Sequence, residues 1–164
     1  MLERNGWSLW AHPLFLDQLE RLVASVERAT QSDPTGWRGK ADATTLAAIY
    51  DLMFDRIPHD PLAPEFRQGS TLGKEHRHWF RAKFGGSRFR LFFRADSTAK
   101  VIVYAWVNDR DTLRKAGASS DPYAVFAKML KSGNPPDDWP ALLASAQTPE
   151  AVKRFAASED KVID

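Results

Sequence analysis
The chain contains no cysteine. Disulfides, thiolate catalysis and cysteine-ligated zinc are therefore excluded. It also lacks any apolar run near the roughly 20 residues that cross a bilayer. Its opening, Met1 to Trp7, carries no signal-peptide pattern, so a soluble, cytoplasmic protein without a membrane is expected. No internal repeat or low-complexity tract interrupts it. The soft ligands present are His12, His59, His76 and His78. His59 beside Asp60 has no metal spacing, and no metal or other cofactor is expected. What remains is 164 residues with a 43% hydrophobic and 12% aromatic fraction, sufficient for the core of one ordinary domain.

Net charge is only +2, but the charge is unevenly laid out. From position 74 to 94 the bases are Lys74, Arg77, Arg81, Lys83, Arg88, Arg90 and Arg94, against Glu75 alone. A basic stretch in an otherwise acidic chain points to one polyanion site rather than to general stickiness. The segment from Asp137 onward is acidic, and a shielding role over the basic face is expected of it.

Periodicity divides the chain. Phe15, Leu19, Leu22 and Val26 recur at helical spacing over 13–31, opened by Pro13 with His12 as its cap. A second helix is expected over 41–56, burying Leu46, Ile49, Tyr50 and Met53. Pro58, Pro61 and Pro64 then form a connector. Strands follow at 79–84, 88–94 and 100–107, the last rich in β-branched and aromatic residues. Short helices are expected at 123–131 and 149–157. The class is α+β, with a domain over 1–143 and a helical or partly disordered tail over 144–164.

A two-residue turn at Gly85-Gly86 would pair Phe84 with Ser87, Lys83 with Arg88 and Arg81 with Arg90. One face would then hold Phe80, Ala82, Phe84, Phe89, Leu91 and Phe93. The other would hold Arg81, Lys83, Arg88, Arg90 and Arg94, with Trp79 and Phe92 among them. Like charges facing each other across a sheet are destabilising. An open polyanion surface accounts for them, since guanidinium groups grip phosphate and aromatics stack on unpaired bases.

Several blocks carry a resemblance: Asn5-Gly6-Trp7, Ala11-His12-Pro13, Phe66-Arg67-Gln68-Gly69, Trp79 to Gly85, Arg88 to Arg94, Trp106-Val107-Asn108-Asp109, Thr112-Leu113-Arg114, Tyr123 to Leu130 and Pro135 to Trp139. In this order they resemble the YhaV toxins of type II toxin–antitoxin systems, a branch of the RelE-like superfamily. The resemblance runs from about Asn5 to Leu142. It implies a RelE-like fold, two N-terminal helices packed on a curved antiparallel sheet, with C-terminal helices following. It implies an endoribonuclease that cleaves mRNA, associated with the ribosome, by metal-independent attack of the ribose 2′-hydroxyl. It also implies a PrlF-type antitoxin with an AbrB-like domain, and contact with operator DNA only through that complex.

Under the resemblance the catalytic candidates are Arg81, Lys83, Arg90, Asp109, Arg110 and Tyr123. Arg and Lys would stabilise charge on the reacting phosphate. Asp109 would accept a proton or orient Arg90 or Arg114, and Tyr123 would fold back as an acid or base. RNA contacts are expected from Arg77, His78, Trp79, Arg88, Phe92, Arg94 and Arg114. Tyr123 also shares a helical stripe with Phe126 and Leu130, which favours core packing for it. Two alternatives use the same basic face: a translation inhibitor that binds RNA or the ribosome without cutting, and a scaffold that recognises an acidic peptide.

Overall fold
The alternation read along the basic strands sets the architecture in the computed structural model, which describes residues 2–161. Met1 and residues 162–164, the outer ends of the expected domain and tail, lie outside the described residues. The chain opens with a hairpin, β1 (Leu2–Arg4) and β2 (Trp7–Ala11). Its turn places Asn5 and Gly6 at φ 53° and 83°, the left-handed conformations that Asn-Gly supplies at least cost. Helix α1 (Pro13–Ser32) follows, capped by His12, whose Nδ1 accepts the Leu14 amide at 3.1 Å. Helix α2 (Ala41–Asp51) runs on through a π-helical turn (Leu52–Arg56) into a last turn, α3 (Ile57–His59).

Strands β3 (Phe80–Phe84), β4 (Phe89–Asp96) and β5 (Val101–Val107) form the expected antiparallel meander. Helices α4 (Pro122–Ser132), α5 (Trp139–Ala146) and α6 (Pro149–Glu159) complete the fold. Each begins on a side-chain cap followed closely by proline: Asp121, Asp138 and Thr148.

The sheet corrects one expectation. It is not purely antiparallel but a five-stranded mixed sheet, in the order β1-β2-β5-β4-β3. β2 runs parallel to β5, with Ser8 opposite Val101 and Ala11 opposite Tyr104. The N-terminal hairpin, not anticipated as strands, supplies the two extra members.

Helices cover both faces. On one side α1, α2 and Phe155 of α6 pack on Leu9, Phe80, Ala82, Leu91, Phe93, Ile102 and Tyr104. On the other, α4 and α5 pack on Trp79, Phe92, Val103, Ala105 and Trp106. Ala105 is the extra residue of a bulge, since Phe92 pairs with Trp106 and Phe93 with Tyr104. Ala105 and Trp106 therefore both face the second core. Phe126 of α4 is that core's centre. Its ring stacks on Phe92 at 4.4 Å and on Trp106 at 5.6 Å, and meets Trp79 edge-on at 5.0 Å.

The acidic C-terminal segment divides. In α6, Arg154 bonds Asp17 and Glu20 of α1, and Glu159 bonds Arg4. Its apolar face, through Phe155, seats it on the first core, away from the basic strands. Asp137, in contrast, does reach the basic stretch.

Candidate active site
The basic hairpin differs from its expected register in an informative way. Phe84 pairs with Phe89, Lys83 with Arg90, Ala82 with Leu91, Arg81 with Phe92 and Phe80 with Phe93. The loop is four residues, with Gly85, Gly86 and Ser87 all left-handed at φ 61°, 67° and 63°. Each partner has moved by two positions relative to the two-residue turn. A shift of two preserves the pleat parity, so the apolar and basic faces survive. The reason for the shift is aromatic pairing. The observed register stacks Phe84 on Phe89 at 5.3 Å and Phe80 on Phe93 at 5.5 Å, where the tighter turn would pair neither. It also separates Arg81 from direct opposition to Arg90.

The basic face is not the open surface expected. Helix α4 lies over its centre because Phe126 completes an aromatic cluster there. Trp79 and Phe92 are fully buried beneath it, so their rings pack against protein and are not presented to solvent. Arg81 and Arg90 are sealed with them, only 9% and 4% exposed.

These two guanidiniums converge on one atom. Arg81 Nε donates to the Tyr123 hydroxyl at 2.8 Å and Arg90 Nε donates to it at 3.0 Å. The remaining bonds are to neutral carbonyls: Arg81 Nη1 to Glu65, and Arg90 Nη1 to Ser87 and Phe89. Neither arginine meets a carboxylate among the described residues. Both Nη2 groups lack a protein partner there and are not sealed from solvent. A tyrosine oxygen has two lone pairs and one proton. Two donors occupy the lone pairs, and the O–H has no acceptor among the described residues.

Three supports hold Tyr123 in place. Asp121 accepts its amide at 3.1 Å and ties Arg114 at 2.6 Å and the Lys115 amide at 2.7 Å. The Arg90 and Arg114 guanidiniums lie over its ring, 5.6 and 5.0 Å from the centroid. Phe92 meets the ring edge-on at 5.7 Å. Tyr123 is thus both core and site: its ring belongs to the second core and its hydroxyl to the arginines. Beside it opens a cleft of about 320 Å³ lined by Thr71, Arg114, Gly117, Asp121 and Tyr123. A larger cavity of about 520 Å³, between Val26, Trp37, Leu46 and Tyr50, lies on the opposite side of the sheet, away from this cluster.

The other expected site residues are placed as follows. Lys83 is exposed on β3, opposite Arg90. Arg88 is exposed in the loop, its Nε on the Gly85 carbonyl. Arg77 and His78 are exposed just before β3. Arg94 is half-buried, clamped between the rings of Trp79 and Trp139 at 5.3 Å each. Asp109 and Arg110 fall elsewhere. Asp109 caps a short 3-10 turn by accepting from Asp111 and Thr112, and Arg110 reaches Asp42 of α2 at 3.4 Å. The structure does not bring them to the Tyr123 cluster.

Two residues outside the expected set complete it. Asn108, 4% exposed, accepts the Arg90 amide at 2.6 Å and donates to the Arg88 and Thr112 carbonyls, fixing where Arg90 leaves the strand. Asp121 fixes the start of α4. The Asp-Pro pair preceding Tyr123 signalled the cap, but its second role toward Arg114 depends on a loop that folds back.

Residues 9–147 match a family model described as a toxin with endonuclease activity, of a toxin–antitoxin system. The chain is 45% identical over 139 residues to a protein named ribonuclease toxin YhaV from Escherichia coli strain K12, covering 84% of this chain and 90% of that one. It is equally similar, with the same coverage, to toxin YhaV of Escherichia coli O6:H1. No solved structure matches.

Proposed function
The chain belongs to the YhaV toxin family, and from that premise we propose that its nuclease centre is the Arg81–Arg90–Tyr123 cluster, acting on RNA. The family is one of endonuclease toxins working with an antitoxin. This favours cutting over the non-cleaving and peptide-binding alternatives.

The observation that carries the reading is the pair of buried guanidiniums sharing a tyrosine hydroxyl with no carboxylate between them. Two buried like charges left without a counter-ion are costly. A phosphate diester supplies the missing negative charge, and the unused Nη2 groups are suited to its non-bridging oxygens. The ribose 2′-hydroxyl attacks the adjacent phosphorus in line, and the bond to the 5′-oxygen breaks. The products are a 2′,3′-cyclic phosphate and a free 5′-hydroxyl. The arginines stabilise the charge gained at phosphorus. Tyr123 gives its free proton to the departing 5′-oxygen and regains one from solvent. The 2′-hydroxyl proton leaves to water. No step uses a metal.

Lys83, Arg88 and Arg77 extend the cationic path for neighbouring phosphates, and the cleft beside Tyr123 has room for a nucleotide. The α+β architecture serves as a RelE-like scaffold over residues 1–143, with 144–164 as an appended tail. The working substrate is message on the ribosome, in the cytoplasm. The partner is a PrlF-type antitoxin, through which alone operator DNA is reached. The test is 5′-end mapping after incubation with message, with and without ribosomes and with a chelator present. Discrete new ends are expected. They disappear with a 2′-deoxy residue at the cut, and with Arg81→Ala or Arg90→Ala, each losing about 10²–10³-fold or more. Full cleavage by either arginine variant overturns the assignment.

A further inference from the structure
A second cluster lies just before the start of β3, in side chains that take no part in the proposed cleavage step. His76 Nδ1 and His78 Nε2 each lie 2.9 Å from Oδ1 of Asp137, and Trp79 Nε1 donates to the same oxygen at 2.8 Å. His76 and Asp137 are partly buried, and the two imidazole rings stand nearly perpendicular, at 80°.

As hydrogen bonding alone this arrangement is unbalanced. One carboxylate oxygen offers two lone pairs, yet three N–H donors crowd Oδ1. Oδ2 has no partner among the described residues. One cation held jointly by the two imidazoles and the carboxylate removes the imbalance, because each ring then presents a lone pair instead of a proton. All three ligand atoms lie within 4.8 Å of one another, compatible with donors arranged about 2.0–2.2 Å from a single ion. Groups that could serve as an outer shell stand nearby. Glu75 approaches the far nitrogen of His76, with Oε1 3.7 Å from Nε2. Gln68 holds the His76 carbonyl at 2.8 Å. The buried Trp79 indole steadies the carboxylate. A carboxylate behind a ligating histidine sets its tautomer and raises its basicity.

We propose that His76, His78 and Asp137 form a binding site for one divalent transition-metal ion, zinc foremost. Two imidazoles and a carboxylate are the donor set that suits zinc, and they leave a fourth position open to water. The ion is not part of the cleavage centre. It joins the Pro135–Asp138 segment, which leads into α5, to the start of β3, a junction otherwise held by Asp137 and by Arg94 on the Asp137 carbonyl at 2.7 Å. It is independent of the nuclease assignment, since none of its ligands touches the Tyr123 cluster.

The test is calorimetric titration of chelator-treated, full-length protein with zinc chloride, paired with visible spectra of the cobalt(II) form and thermal melting. One ion per chain is expected, with a low-symmetry cobalt spectrum and a raised melting temperature. His78→Ala removes an exposed ligand without touching either core, and weakens affinity about tenfold or more. Asp137→Asn does the same. His59→Ala, an exposed histidine outside the cluster, leaves binding unchanged. Absence of binding overturns the proposal. So does binding that His78→Ala and Asp137→Asn leave intact, or that His59→Ala weakens equally.

Discussion

Tyr123→Phe separates the two roles of this residue, because it removes one oxygen and leaves the ring. The aromatic contacts with Phe92 and the two guanidiniums over the ring persist. What is lost is the shared acceptor of Arg81 Nε and Arg90 Nε, both on side chains no more than 9% exposed. Hydrogen bonds to charged groups are each worth about 1.5–3 kcal/mol, and buried donors left unmade cost their desolvation. The cleft admits some water, so the net loss is about 2–4 kcal/mol. For a chain of this size that lowers the melting temperature by roughly 5–15 °C. If the hydroxyl also protonates the departing 5′-oxygen, cleavage falls by about 10²–10⁴-fold at a temperature where the variant is folded. The decisive assay uses an RNA with sulfur in place of the bridging 5′-oxygen. A thiolate leaves without protonation, so this substrate restores the variant's rate toward that of the unmodified enzyme. Wild-type cleavage of ordinary RNA by the variant refutes any chemical role for Tyr123. A deep loss that the sulfur substrate does not rescue refutes proton donation and reduces the hydroxyl to an anchor for the arginines.

Burial is the leading cause that pushes His12 down from 6.5 to about 4, with Asp17 opposing it. The folded protein thus favours neutral His12, whose Nδ1 must lack a proton to accept from Leu14. Stability from this group is complete above about pH 6.5, falls as pH drops, and is gone below about pH 4, a span of roughly 3 kcal/mol. Urea melts between about pH 7.5 and 5 are expected to lose about 2 kcal/mol more in the wild type than in His12→Asn, which keeps a cap without titrating. Equal losses refute this. Phe126→Ala removes the ring that stacks on Phe92 and Trp106 and is expected to cost about 3–5 kcal/mol by chemical denaturation. A loss below about 1 kcal/mol would show that α4 is not held by this cluster.

Much of the fold is written in local pattern. The helical stripe from Phe15 to Val26, the His12 cap and the alternation of β3 and β4 are each decided by neighbours a few positions apart. They recur in the structure with their faces intact. The hairpin register differs by two from the expected one because Gly-Gly favours a two-residue turn while cross-strand Phe–Phe stacking favours a wider loop, and the stacking prevails. The N-terminal hairpin left a readable sign in Asn5-Gly6 between alternating residues. Its partner, β5, is about ninety residues away, and no local rule selects it.

The site divides along the same line. That Arg81, Lys83 and Arg90 would leave the sheet on one side follows from a period of two, which any strand imposes on its own side chains. That Arg81 and Arg90 would be buried and aimed at one hydroxyl does not, because the hydroxyl arrives on a helix whose seat is chosen by Phe126 finding Phe92, Trp79 and Trp106. Asp109 and Arg110 illustrate the converse: near in sequence to the end of β5, they turn toward α2 because Asn108 and the 3-10 turn redirect the chain there. Local spacing determines which face a residue occupies. Only the packing of distant aromatic groups, driven by burial and therefore indifferent to sequence separation, decides what that face meets.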